Sequence, residues 1–158
     1  MKIKRALISV WNKNGIVELG KFLADQNIEI LSTGGTKKVL EEAGLVVTSI
    51  SFLTGSASVM DGRVKTLHPK IFGGILADRK NPQHLNDLED LHGLEIDLVV
   101  VNFYPFIQEV VEKKLEFKDA IEFIDIGGPS MIRAAAKNYH SVLPLCNTGL
   151  YSEFMDTF

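Results

Sequence analysis

The sequence predicts an α/β domain built on an open, mainly parallel sheet with helices on both faces. Short runs of apolar and β-branched residues alternate along the chain with stretches whose apolar residues recur at helical spacing, which is the pattern of βαβ units. A length of 158 residues suits one core, so residues 1–158 are expected to form a single domain. An apolar content of 46%, with nine Phe, is enough to cover a sheet on both faces.

The first two strand–helix units precede Gly44. Residues 4–10 form a β-type run, and Asn12 is a candidate cap for the amphipathic helix that follows. A second run at 28–32 leads through a glycine turn into another amphipathic stretch, which Gly44 ends. The pattern predicts strand, helix, strand, helix.

A loop longer than usual separates these units from the next helices. A short third strand is expected at 45–48, and residues 49–68 then show no clear periodicity. Connections usually take about 4 to 6 residues, and much longer ones in compact domains tend to be functional. Proline suits the first position of a helix, so helices are expected at 69–77 and 82–91.

The strongest strand signal lies at 97–103, which has the continuous apolar run of a buried parallel strand and is stopped by Pro105. The pattern then predicts helices and a last strand ending in Cys146; the helices are expected at 106–114, 117–123 and 129–138. The final residues 151–158 have the pattern of a helix with little chain left to cover it, so the chain is expected to be part of a longer one.

Composition and charge exclude several classes of protein. A net charge of −3 gives no reason to expect nucleic acid or an anionic membrane as a partner. The longest apolar runs are far shorter than the roughly 20 residues that span a bilayer, and no signal peptide is evident, so a cytosolic protein is expected. The apolar neighbours of Cys146, the only cysteine, predict a buried and inert thiol.

The turn Ser-Thr-Gly-Gly-Thr at 32–36 is a candidate anion site. It is not a GxGxxG fingerprint, and the chain has no P-loop spacing, but it bares backbone N–H groups at a helix start, where the helix dipole favours phosphate. An ordinary tight turn with a threonine cap is an equally good interpretation. Lys13, Lys37 and Lys38 near the helix starts oppose the dipole, which favours a bound anion.

Three further segments carry candidate chemistry at strand ends and in the long loop. Arg63, Lys65 and Thr66 supply a guanidinium, an ammonium and a hydroxyl, a set that suits a phosphate or a polarised carbonyl; a solvated loop is the alternative. Asn102 and Tyr104 follow the strongest strand, where ligands of parallel sheets bind, and either recognise a ring or simply pack.

A carboxylate stands before two glycines at the start of the last long helix. Asp125 is a candidate base there, and Lys137, one turn from Arg133 on the same face, is a candidate general acid; solvated helix charges are the alternative. The four histidines show no spacing of metal ligands, so no metal site is expected.

Four motifs occur together in one order. The turn at 32–36 is followed by Arg-Val-Lys-Thr-Leu-His-Pro-Lys at 63–70, by Asn-Phe-Tyr-Pro-Phe at 102–106 and by Asp-Ile-Gly-Gly-Pro-Ser-Met-Ile-Arg-Ala-Ala-Ala-Lys-Asn at 125–138. In this combination they closely resemble the N-terminal, inosine monophosphate cyclohydrolase half of the bifunctional purine-biosynthesis enzymes. The resemblance extends over nearly the whole chain.

The resemblance implies a methylglyoxal-synthase-like fold and closure of the purine ring, from 5-formamidoimidazole-4-carboxamide ribonucleotide to inosine monophosphate and water, without a cofactor. By the matching motifs, the catalytic residues would be Lys65, Tyr104, Asp125 and Lys137. The residues that would line the nucleotide are Ser9, Lys13, Ser32, Thr33, Gly34, Gly35, Thr36, Arg63, Val64, Thr66, Asn102, Phe103, Ile126, Gly127 and Gly128.

The chain departs from the family at the first turn. Where the family usually has Ser-Val-Ser-Asp-Lys-Thr-Gly, residues 9–15 read Ser-Val-Trp-Asn-Lys-Asn-Gly, so Trp11 and Asn12 change the surroundings of the phosphate. Phe72 also replaces a common histidine, at a position that we expect to be peripheral. The transformylase half of the family would follow this half and is absent from the sequence, so cyclisation without formyl transfer is expected. A homodimer is also expected.

Two other functions fit part of the pattern. A methylglyoxal synthase would use the turn at 32–36 for a small phosphate ester but would leave the motifs at 102–106 and 125–138 without a purpose. A non-catalytic nucleotide-sensing module would bind a nucleotide without needing lysines and a carboxylate near its ring. Assays with dihydroxyacetone phosphate and with the formamido ribonucleotide separate these alternatives.

Overall fold

Five short strands form the centre of the computed structural model, which describes residues 2–158. Their order in the sheet is β3-β2-β1-β4-β5, and each neighbouring pair is parallel, which confirms the predicted fold class. The strands are β1 (Arg5–Val10), β2 (Glu29–Ser32), β3 (Thr48–Ser49), β4 (Leu98–Asn102) and β5 (Leu143–Leu145).

Eight α-helices accompany the strands of the described chain. They are α1 (Ile16–Asp25), α2 (Gly34–Glu42), α3 (Ile50–Thr54), α4 (Pro69–Leu76), α5 (Pro82–Asp90), α6 (Phe117–Ala120), α7 (Gly127–Lys137) and α8 (Tyr151–Thr157). Shorter helical turns, three of the 3₁₀ type and one π-helix, lie at Met60–Gly62, Ile121–Phe123, Thr148–Leu150 and Ile107–Glu112.

The sheet separates two hydrophobic cores because successive strand residues point to opposite faces. Ile8 packs into the core that also contains Leu19 of α1, whereas its neighbour Leu7 packs into the core that contains Ile71 of α4 and Met131 of α7. All five side chains are almost fully buried, and burying such a side chain typically stabilises a fold by about 1.5–3 kcal/mol. The two cores place helices on both faces, as predicted.

The strand register brings the carboxyl ends of the three central strands to one edge. Val10 of β1 lies opposite Asn102 of β4, and Ile8 lies opposite Ser32 of β2. Parallel strands end on the same side, so the turns that follow β1, β2 and β4 surround one region above that edge.

Several predicted boundaries are wrong for local reasons. Helix α1 begins at Ile16 because the Asn12 side chain accepts the backbone N–H of Asn14, while Gly15 takes a left-handed φ of 71° before the helix. Strand β3 is shifted to 48–49, where it pairs with only the last two residues of β2.

The segment 106–123 forms short helical pieces where two longer helices were predicted. Most of its apolar side chains, including Ile107 and Phe117, are exposed and only Val110 is buried, so little tertiary packing stabilises a continuous helix. Lys114, with a φ of 51°, interrupts it. Helix α7 begins at Gly127, two residues before the predicted start.

The prediction for Cys146 is wrong, because β5 ends at Leu145 and the cysteine that follows is exposed. Within residues 2–158, none of the helices has the length and apolar character needed to cross a membrane.

Candidate active site

A cleft of about 560 Å³ opens at the carboxyl ends of β1, β2 and β4, and its volume falls in the usual range for small-molecule sites. It contains three of the four predicted catalytic residues. The predicted residues that line it are Ser9, Lys13, Thr33, Gly34, Gly35, Thr36, Arg63, Lys65, Thr66, Asn102, Tyr104, Asp125, Ile126, Gly127 and Gly128.

The fourth predicted catalytic residue, Lys137, lies outside the cleft. It is exposed at the C-terminal end of α7, whereas the cleft is lined by Gly127 and Gly128 at the N-terminal end. Six residues of helix separate Lys137 from Met131, the lining residue of α7 nearest to it, a rise of about 9 Å. The prediction that it shares one site with Asp125 is therefore not met by this arrangement.

Three predicted binding residues also lie outside the cleft lining. Ser32 is fully buried, and its hydroxyl donates to the carbonyl oxygen of Ile8 at 2.7 Å, so it joins two strands. Val64 pairs with Val59 in a small antiparallel bridge, and Phe103 is half-exposed beside the cleft. Their side chains are adjacent to the site without forming its surface.

The turn between β2 and α2 forms the anion corner of the cleft. Gly34 has a left-handed φ of 56°, which favours glycine, and the Thr33 side chain forms no cap bond to the helix. The first turn of α2 contains no acidic residue, so its free N–H groups face the cleft without a carboxylate. A Cβ placed on Gly34 would lie 3.9 Å from the Nζ atom of Lys65, which puts that ammonium over the same turn.

The Thr36 hydroxyl makes its hydrogen bonds to the protein backbone and not toward the cleft. It is buried, accepts the backbone N–H of Val10 at 3.2 Å and donates to the Val10 carbonyl oxygen at 3.0 Å. The Lys13 ammonium donates to the Val10 and Trp11 carbonyl oxygens, and burial lowers the pKa of Lys13. Both side chains therefore fix the turn between β1 and α1.

Asn102 holds the same turn from β4. Its Oδ1 atom accepts the backbone N–H groups of Trp11 and Asn12, each at 2.8 Å, and its Nδ2 atom donates to the Asn12 carbonyl oxygen at 2.9 Å. The predicted role of this amide was recognition of a ligand ring. In the structure its main contacts position the β1–α1 turn.

Sequence reasoning missed Tyr151, which supports this turn from α8. A Cβ on Gly15 would lie 3.3 Å from the Tyr151 ring, and the Tyr151 hydroxyl is buried without a hydrogen-bond partner among residues 2–158. Burial raises the pKa of Tyr151, and the nearby Asn102 amide partly opposes that rise. No local pattern could have linked residues so far apart in the chain.

The start of α7 forms the opposite end of the cleft. One carboxylate oxygen of Asp125 accepts the Gly128 N–H at 2.9 Å, so Asp125 caps the helix and explains its early start. A Cβ on Gly128 would come within 2.5 Å of the other oxygen, and a Cβ on Gly127 within 3.0 Å of the Thr66 hydroxyl. A side chain at either glycine would therefore force one of these polar side chains to move.

An exposed ion pair crosses the cleft between two loops. Arg63 donates to Glu122, and this hydrogen bond and the charge of Glu122 raise the pKa of Arg63. Arg63 therefore lines the cleft, as predicted, but its guanidinium is paired with a carboxylate of the protein itself. Glu122 is 59 positions away in the chain, so no local pattern could have predicted the pair.

Other lining residues were not among the predicted site residues. Besides Glu122, they are Val10, Trp11, Asp61, Gly62, Ile121, Ile124 and Met131. Among residues 2–158, no three histidine, cysteine, aspartate or glutamate side chains come together as metal ligands would.

The chain is similar to known purine biosynthesis proteins and to one solved structure. The bifunctional purine biosynthesis protein PurH of Clostridium acetobutylicum is 54% identical over 98% of this chain, and PurH of Staphylococcus aureus strain Newman is 54% identical over 97%. The chain spans 31% of the length of these relatives. A crystal structure of ForH matches with a TM-score of 0.84 and 33% identity, covering 97% of this chain and 76% of that one.

The family comparison covers most of the chain. Residues 15–130 match the MGS-like domain, a range that includes the anion corner, the Arg63–Glu122 pair and the start of α7. The chain therefore belongs to the MGS-like domain family.

Proposed function

We propose that this domain is an inosine monophosphate cyclohydrolase, which closes 5-formamidoimidazole-4-carboxamide ribonucleotide to inosine monophosphate with release of water in the last step of purine synthesis. The observation that carries the proposal is the single cleft, in which an anion corner, Lys65, Tyr104 and Asp125 converge. The similarity to PurH supports the same pathway.

The reaction requires a poor nucleophile to attack within one molecule. The carboxamide nitrogen forms a bond to the formyl carbon and loses a proton, while the formyl oxygen gains one and becomes a hydroxyl. Loss of that hydroxyl as water, with the proton of the former formamido nitrogen, forms the C=N bond and completes the aromatic ring. Holding the two groups in one plane can supply several kcal/mol of the barrier reduction.

The cleft geometry divides these tasks between its ends. The free N–H groups at the start of α2, with the Lys65 ammonium above Gly34, suit the phosphate. Asp125 uses one oxygen to cap α7, which leaves the other to take the carboxamide proton. Tyr104 lines the cleft between these ends and is the candidate donor to the leaving oxygen.

The test follows the absorbance change as purified protein meets the formamido ribonucleotide. We expect Asp125→Asn to lower kcat by about 10²-fold or more, because it removes the proton acceptor while keeping an oxygen that can cap the helix. Binding of inosine monophosphate should change only a few-fold. Normal turnover of Asp125→Asn would refute the assignment.

The motif assigns Lys137 to catalysis, whereas the structure places it outside the cleft, so a variant of Lys137 tests which is right. We expect Lys137→Met to keep turnover within a few-fold, because the side chain is exposed and does not line the cleft, from which it is about 9 Å along the helix beyond Met131. A loss as large as that of Asp125→Asn would show that the reacting groups meet elsewhere, or that Lys137 reaches the site of another subunit in the expected homodimer.

Assays with dihydroxyacetone phosphate test the remaining enzymatic alternative. A methylglyoxal synthase would turn over this ester and ignore the formamido ribonucleotide. Because the chain covers only 31% of the PurH relatives, cooperation with a transformylase belongs to the proposal, as does a cytosolic location. Tight inosine monophosphate binding without any turnover would favour a sensing module.

A further inference from the structure

Trp11 is the only tryptophan of the chain, and neither the MGS-like match, which begins at residue 15, nor the proposed chemistry gives it a role. Its side chain lines the cleft and is 40% exposed. Large aromatic side chains contribute most when buried, so an indole that faces a cleft is placed where a ligand can cover it.

The backbone around this indole is fixed. Asn102 accepts the Trp11 N–H at 2.8 Å, and Lys13 donates to the Trp11 carbonyl oxygen at 3.1 Å. Both backbone groups of the residue are therefore held by side chains of the site. The position of the Trp11 Cα atom is set before any ligand arrives, which lowers the entropy cost of using its side chain for binding.

Trp11 belongs to a row of three aromatic rings. Its ring centroid lies 6.3 Å from that of Tyr104 with a tilt of 60°, and Tyr104 lies 5.7 Å from Phe123 in an edge-to-face arrangement. Tyr104 is the lining residue that the proposed chemistry places beside the reacting ring. The indole, as the neighbour of Tyr104, therefore lies close to the position that the proposed chemistry gives the reacting ring.

We infer that the Trp11 indole stacks against the heteroaromatic ring of the bound nucleotide and makes the site select base-bearing ligands over plain sugar phosphates. The inference rests on the proposed function only in that the ligand is a purine-type ribonucleotide. The phosphate corner alone gives no such selectivity, because its N–H groups and ammonium bind any phosphate ester alike.

The expected effect follows from the strength of ring stacking. Loss of one aromatic platform under a base typically weakens binding by about tenfold or more. Ribose 5-phosphate has no base and makes no stacking contact, so the substitution should not change its affinity. It is therefore the matched control ligand for inosine monophosphate. The two share the phosphoribosyl group and differ only in the ring.

The experiment uses the full chain and calorimetric titration with both ligands, alongside fluorescence of the single tryptophan. In the unaltered protein, inosine monophosphate should change the indole emission, whereas bound ribose 5-phosphate should leave it nearly unchanged. Trp11→Leu should weaken inosine monophosphate binding about tenfold and leave ribose 5-phosphate binding unaltered. Trp11→Phe, which restores a ring, should recover most of the loss.

Equal weakening of both ligands by Trp11→Leu would overturn the inference, because it would show that the indole only supports the turn. Unchanged binding of both ligands would overturn it as well. The unfolding temperature of Trp11→Leu reports whether the variant folds, and Trp11→Phe keeps the test valid if it does not. Turnover of the formamido ribonucleotide is measured separately, so ring selectivity without turnover refutes the cyclohydrolase proposal and leaves this inference standing.

Discussion

The two walls of the cleft are held in different ways. The sheet wall, residues 9–13 and 33–36 with Asn102, is tied together by hydrogen bonds from side chains to backbone, several of them buried. The loop wall, residues 61–66 and 121–128, depends on a surface ion pair and one helix cap, and Asp61 adopts a left-handed φ of 52°.

This difference predicts different consequences of mutation. Buried hydrogen bonds that leave an unpaired group behind are costly to remove, whereas exposed ion pairs contribute little. Changes to the sheet-wall side chains that make these hydrogen bonds should therefore appear in the free energy of unfolding and in phosphate affinity. Changes in the loop wall should alter turnover or affinity while the fold stays intact.

The largest expected effect is in the sheet wall. Thr36→Val keeps the shape of the side chain but removes both hydrogen bonds to Val10, leaving a buried N–H unpaired. We expect the free energy of unfolding to fall by about 1–3 kcal/mol, measured by urea denaturation. Thr33→Val is the matched control, because the Thr33 side chain makes no cap bond, and its stability should be unchanged. Equal stability of the two variants would contradict the comparison.

The next effect tests the loop wall through turnover. Gly128→Ala places a methyl group 2.5 Å from the free Asp125 oxygen, so the Asp125 side chain has to turn and its hydrogen bond to the Gly128 N–H is weakened. We expect kcat to fall about tenfold, because general-base catalysis depends on position, and the unfolding temperature to fall by only a few degrees, because one cap bond contributes about 1 kcal/mol. In the Asp125→Asn background the same substitution should add little, and an additive loss would show that Gly128 acts independently of Asp125.

Sequence reasoning predicted the sheet wall better than the loop wall. The parallel sheet and the gathering of Ser9, Thr33 and Asn102 at its edge follow from the alternation of strands and helices and from the geometry of parallel sheets. The hydrogen bonds of Thr36 and Asn102 to the backbone of the β1–α1 turn were not predictable. A hydroxyl or an amide near the end of a strand gives the same sequence pattern whether it binds a ligand or the backbone.

The two omitted residues, Glu122 and Tyr151, depend on contacts distant in sequence, whereas the placement of Lys137 has a different origin. Glu122 and Tyr151 enter the site only through the folded arrangement of segments far from Arg63 and Asn102. Lys137 was assigned by its motif, and a motif gives the order of residues without the length of the helix between them. Its place at the far end of α7 is a matter of helical rise.

The smallest expected effect tests whether the loop wall competes with the ligand for Arg63. In Glu122→Gln the guanidinium loses its carboxylate partner and is free to bind a ligand anion. We expect affinity for inosine monophosphate to rise about twofold at low ionic strength, because the pair is exposed and surface ion pairs are weak.

Glu89→Gln, on the exposed surface of α5, changes the net charge equally and should leave affinity unchanged. The gain should shrink in high salt, because screening weakens exposed charge interactions. Weaker binding in Glu122→Gln would mean that the ion pair builds the site, and the contrast between the two walls would then fail at this point.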